Sequence, residues 1–211
     1  LLTSTTTTSS TAIGAFALYS NTTGDNNTGV GRSALEANTT GRQNTAIGSG
    51  TLDVNTTGEN NTAVGMHALT ANTTADENTA VGAYALADNT TGTRNTAVGL
   101  YSLIANTTGN NNTGVGRSAL QANTTGYDNV AMGRSSLDAN TTGYANTSIG
   151  ESSLTSNTTG YRNTAIGQNS MAACTTGVEN TAVGQNAAND VSTGSSVSYT
   201  HLRAHETRED R

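Results

Sequence analysis

Three tyrosines, Tyr127, Tyr144 and Tyr161, recur at intervals of 17 residues; Tyr84 and Tyr101 keep the same interval, and so do Arg117 and Arg134. Aromatic rings beside polar donors are suited to binding sugars or a receptor, so these seven residues are the candidate ligand-binding set. The residue types that catalysis needs are not gathered in the same way. No nucleophile, base and orienting group stand together outside the repeating pattern, and the chain is expected not to be an enzyme. Cys174 is the single cysteine; it reads as a tolerated substitution and rules out an internal disulfide framework. His67 reads as an exposed surface histidine. Glu36, Asp53 and Asp138 recur at one register position, but the Gly-Gly-x-Gly-x-Asp nonapeptide of calcium-binding β-rolls is absent. These carboxylates read as solvated charges, and no metal or cofactor is expected.

The elements that must hold these residues are unusual in composition. Of 211 residues only 33% are hydrophobic and 4% aromatic, with no Pro and no Trp. So few large apolar groups do not offset chain entropy in an ordinary globular domain, so order has to come from periodicity. The net charge is −6, and all nine basic residues are arginines scattered along the chain. A surface that tracks phosphates needs clustered cations, so nucleic acid is not an expected partner. No apolar run approaches the roughly 20 residues of a membrane span.

The period is 17. The unit N-T-A-V-G-x-x-A-L-x-x-N-T-T-G-x-x starts at Ser10, Asn27, Asn44, Asn61, Asn78, Asn95, Asn112, Asn129, Asn146, Asn163 and Asn180, with no insertion or deletion. Such regularity points to stacking of identical coils. The expected fold is all-β: a parallel β-solenoid with one 17-residue coil per repeat. Position five is always Gly, position four always aliphatic or Met, and position nine Leu in nine copies. Strand side chains alternate, so the Thr at position two and the Val or Ile at position four are expected to point inward, toward the Leu at position nine. The Ala and Gly at positions three and five then form a flat outer face, available for another chain. A second short strand is expected around position nine, with a turn at Asn-Thr-Thr-Gly. Asn ladders are expected at positions one and twelve.

The core N-T-A-V-G-x-x-A-L resembles the head repeats of trimeric autotransporter adhesins (YadA-like heads). In its 17-residue form it is also similar to arrays in phage tail-fibre-like proteins. The resemblance covers Ser10 to about Ser196. It implies a left-handed β-roll, a homotrimer, and attachment to a host-surface protein or glycan from a bacterial outer membrane or a phage virion. The domain reading is a low-complexity leader over 1–9, the solenoid over 10–196, and a non-repeat tail over 197–211. Part of that tail resembles a translated sequencing adapter, and His201, His205 and Glu206 within it are given no metal role. Two other functions compete with attachment: a passive structural spacer, and an ice-binding solenoid. Ice binding is disfavoured because the paired threonines, such as Thr22 and Thr23, lie in a turn.

Overall fold

The computed structural model describes residues 9–200. The leader up to residue 8 and the tail from residue 201 lie outside the described residues, as do His201, His205 and Glu206. Twelve three-residue strands, from β1 (Thr11–Ile13) to β11 (Thr181–Val183) and β12 (Ser198–Thr200), form one parallel sheet in strict chain order. Each strand pairs with the next at a shift of 17 residues, as in Thr79↔Thr96 and Val81↔Val98. The chain is therefore a β-solenoid, without helices among the described residues. At about 4.8 Å per coil the stack is about 50 Å long. Regular pairing runs past Ser196, because β12 continues the ladder from β11.

The sheet is only one side of each coil. Around the remaining positions the backbone still bonds from coil to coil. Leu86 N–H donates to Ser102 O, Asp88 N–H to Ile104 O, and Tyr84 N–H to Met66 O. This replaces the expected second strand. Positions seven and nine are in the left-handed region in every coil, with φ of 57° at Tyr84 and 52° at Leu86. A left-handed residue cannot continue a strand. The segment therefore turns twice while its carbonyls and amides stay parallel to the stack.

The faces of the strand are also the reverse of the expectation. Ala46, Ala63, Ala80, Ala97, Ala131, Ala165 and Ala182 at position three are buried, whereas Ile47, Val81, Val98, Met132 and Ile166 at position four are exposed. The cause is the width of the coil. The interior is filled by the column of Leu18 to Leu154 followed by Met171, all fully buried. A Cβ at Gly29, which occupies position three, would lie 3.4 Å from Leu18 Cγ and 3.1 Å from Ala34 O. That space takes a methyl group and excludes Val or Ile. The glycine column at position five does meet another backbone closely, but it is the chain's own next coil. A Cβ on Gly99 would lie 2.6 Å from Gly116 O, at a φ of 132°. The alanine column is thus interior and the glycine column faces the chain's own next coil, so the case for association through a flat Ala/Gly face falls.

Two asparagine columns line the interior. At position twelve, Asn38 Nδ2 donates to Asn21 Oδ1 at 2.7 Å and to Gly41 O of its own turn at 3.0 Å. At position one, Asn44 N–H donates to Asn27 Oδ1 at 3.0 Å, and Asn44 Nδ2 to Gly58 O at 2.8 Å. Both expected ladders are present. Ala75 replaces the usual Gly at position fifteen, and the joint beside it is looser. Thr73 N–H reaches Thr90 O at 3.4 Å, against 2.8 Å from Thr56 N–H to Thr73 O. The Asn89–Asn72 link is 3.2 Å.

Two substitutions separate these contributions. Leu86→Ala removes one rung of the apolar column and is expected to cost about 2–5 kcal/mol. Gly99→Ala adds both a backbone clash and a strained φ, and is expected to cost at least about 1–3 kcal/mol. Urea unfolding followed by circular dichroism measures both; an unchanged midpoint for Gly99→Ala would contradict the close approach of the coils.

Candidate functional site

Side chains leave the solenoid as columns, because identical positions stack. The strand side carries Thr at position two and Val, Ile or Met at position four. Ile13, Ile47, Val81, Val98, Met132, Ile149, Ile166 and Val183 are all more than a third exposed. This aliphatic column runs the length of the sheet. The threonines beside it, among them Thr28, Thr45, Thr62, Thr79 and Thr96, are half-buried. Thr51, Thr70 and the position-thirteen threonines hydrogen-bond through their hydroxyls, but the strand threonines make no such side-chain bond among the described residues. The sequence carried a signal for this face. In the eleven repeats position three is never larger than Ser, which marks the inward residue more surely than hydrophobicity does.

The first tyrosine group forms the expected ladder. Tyr127 and Tyr144 have ring centroids 4.9 Å apart with planes at 5°, and Tyr144 and Tyr161 are 4.8 Å apart at 3°. Arg162 lies over the Tyr161 ring at 5.7 Å and pairs with Glu179 at 3.0 Å. Its pKa is raised by the Glu179 hydrogen bond first and by Tyr144 next. The second group is longer than expected. Tyr84 and Tyr101 are 5.6 Å apart, and His67 stacks beneath them, 5.4 Å from Tyr84. His67 is thus half-buried and not a lone surface histidine. Its ring fills the space where a side chain on Gly50 would stand, 2.7 Å from that Cβ position.

Arg117 and Arg134 occupy the same position on consecutive coils. Arg134 pairs with Glu151 one coil further on. This pair, like Arg94–Glu77 and Arg162–Glu179, is exposed and contributes little stability. Asp53 and Asp138 accept hydrogen bonds from Thr70 and Thr155 at 2.8 and 2.7 Å. Among the described residues no group of three or more His, Cys, Asp or Glu could hold a metal ion, and no helix is long and apolar enough to cross a membrane.

Cys174 interrupts the position-twelve ladder. It is buried, and it stands where an asparagine would donate to Asn157. Asn157 Oδ1 is the one buried side-chain nitrogen or oxygen among the described residues without a partner. Burial pushes the Cys174 thiol pKa up, and a backbone hydrogen bond at Gly177 opposes the shift in part. A raised thiol pKa favours the fold fully below the ordinary thiol range, and this contribution is lost as pH rises through the raised value.

No family model matches the chain, and neither the curated proteins nor the solved structures contain a significant match to it.

Cys174→Asn together with Val191→Asn is expected to restore the ladder and supply the missing donor, worth about 1–3 kcal/mol; Cys174→Asn alone would leave its own Oδ1 facing Val191, which has no donor. Amide hydrogen exchange at Thr175 and Thr181 should slow about tenfold or more. Unchanged exchange at both amides would show that the broken rung carries no cost.

Proposed function

We propose that this chain is a non-enzymatic segment of a fibre, assembled side by side with two further copies and used for attachment. The observation that carries this reading is the outward aliphatic column. Eight of its members, from Ile13 to Val183, keep more than a third of their surface exposed along the rod. Soluble chains rarely present so long an apolar stripe without a partner. A stripe along the whole rod can meet identical stripes around a common axis, with Thr methyls and Val or Ile filling the contact. Three copies agree with the family that the repeat resembles. Such a bundle would leave the turn positions, and most of the charged columns, facing outward. Attachment would then be multivalent, with many weak contacts on one rigid body. A bacterial surface fibre and a phage tail fibre both suit this design; a passive spacer would share the bundle and lack the binding.

Light scattering on residues 3–196 tests the assembly. Three times the monomer mass is expected. Val98→Asp should break the bundle, since it places a charge in an apolar contact, while the far-ultraviolet circular dichroism stays that of a folded solenoid. A stable monomer for the unmodified chain would overturn side-by-side assembly. It would also leave the strand threonines open to water, which favours the ice-binding reading that the turn threonines argued against; thermal hysteresis of that monomer is the measurement for it.

A further inference from the structure

The tyrosine ladder borders a second column that the attachment reading does not use. Thr125, Thr142 and Thr159 at position fourteen are exposed. Their neighbours at position thirteen spend their hydroxyls on the stack: Thr124 donates to Thr141 O and Thr141 to Thr158 O, each at 3.0 Å. The position-fourteen hydroxyls make no such bond among the described residues. Between the threonine and tyrosine columns lie Gly126, Gly143 and Gly160, all buried. A Cβ there would face the interior, 2.3 Å from Asn123 Oδ1 at Gly126 and 2.4 Å from Gly160 O at Gly143, so no side chain stands between the two columns. Three consecutive coils thus form a straight track, with a hydroxyl wall, a glycine floor and an aromatic wall.

The geometry of the rings sets what the track can hold. Parallel rings touch at about 3.5–4.0 Å between planes, yet these centroids are 4.8 Å and 4.9 Å apart. The rings are parallel at about the coil spacing, and each keeps part of its surface exposed. One partly exposed ring, one phenol hydroxyl and one threonine hydroxyl recur at every coil. A polymer that repeats a C–H face and hydroxyl groups at a similar advance fits such a track; an extended β-linked pyranose chain does so. An extended peptide has a shorter repeat, about 3.3 Å per residue, and falls out of step. The track itself carries no charge. The nearest arginine, Arg162, is neutralised by Glu179. An uncharged polymer is favoured over an acidic one.

We infer that the track of Thr125, Thr142, Thr159, Tyr127, Tyr144 and Tyr161 binds a neutral linear polysaccharide lying along the rod axis, with one sugar at each coil. This inference rests on the attachment reading and gives it a ligand class. Tyr144 is the central ring.

Affinity electrophoresis through gels containing hydroxyethylcellulose, galactomannan or xyloglucan tests it, with alginate as the acidic comparison. The assembled protein should be retarded by at least one neutral polymer and less by alginate. Tyr144→Ala should weaken that retardation about tenfold, and Gln121→Ala, exposed outside the track, should leave it unchanged. Circular dichroism confirms that both variants are folded. No retardation by any neutral polymer, or equal retardation of the Tyr144→Ala protein, overturns the inference. Attachment of the protein to cells is scored separately. If Tyr144→Ala abolishes attachment while no polysaccharide is bound, the ligand class is wrong and the attachment reading survives. If polysaccharide binding depends on Tyr144 while cells are not bound, the track is right and the attachment reading fails.

Discussion

The solenoid depends on asparagine side chains bonding in line through its interior. A buried amide is costly unless its donors and acceptor are matched. Here each matches only if the coil below and the coil above are in register. Asn55 Nδ2 reaches Asn38 Oδ1 at 2.8 Å and Gly58 O at 3.1 Å. A slip of one residue would strand the coil-to-coil contact on every coil. Stacked leucines would tolerate such a slip far better, since apolar contact is non-directional. The ladders thus supply the specificity and the Leu column supplies the burial. Glycine at position five lets the backbones close to the distance at which both operate.

Much of this was legible in the residues. The period, the parallel coils and both asparagine ladders follow from positions one, five, nine and twelve. The tyrosine ladder of Tyr127, Tyr144 and Tyr161 follows from spacing alone. The inversion of the strand was not legible by hydrophobicity, because the wider residues, Val and Ile, point away from the core. Pattern reading assumes that the more apolar residue is the buried one. A coil this narrow reverses that preference, and size decides.

The left-handed residues left a trace of a different kind. Positions seven, nine and seventeen hold Phe, Ser, His, Tyr, Asn, Leu, Met, Gln, Arg and others, but never Val, Ile or Thr. In a chain so rich in threonine that absence has a cause. β-Branched residues are severely strained at positive φ, and these positions have φ near 55°, as at Gln43, Tyr84 and Leu86. The core column is therefore built from Leu, although the rest of the chain prefers Val and Ile. The excluded residue types mark the turns better than the permitted ones, and they argue against the second strand that alternation alone suggests.

The coil-to-coil bonds also have a mechanical meaning. They lie along the rod, so a pull on its two ends loads every bond of one joint together, and the joints one after another. Each joint carries the whole force, and the rod yields at its weakest. The position-twelve ladder ends at Asn157, because Cys174 and then Val191 stand in its place, and that end of the rod is the fuse. Under tension the coils beyond Asn157 would part first, and the stretch holding the tyrosine rings at Tyr127 and Tyr144 would remain intact.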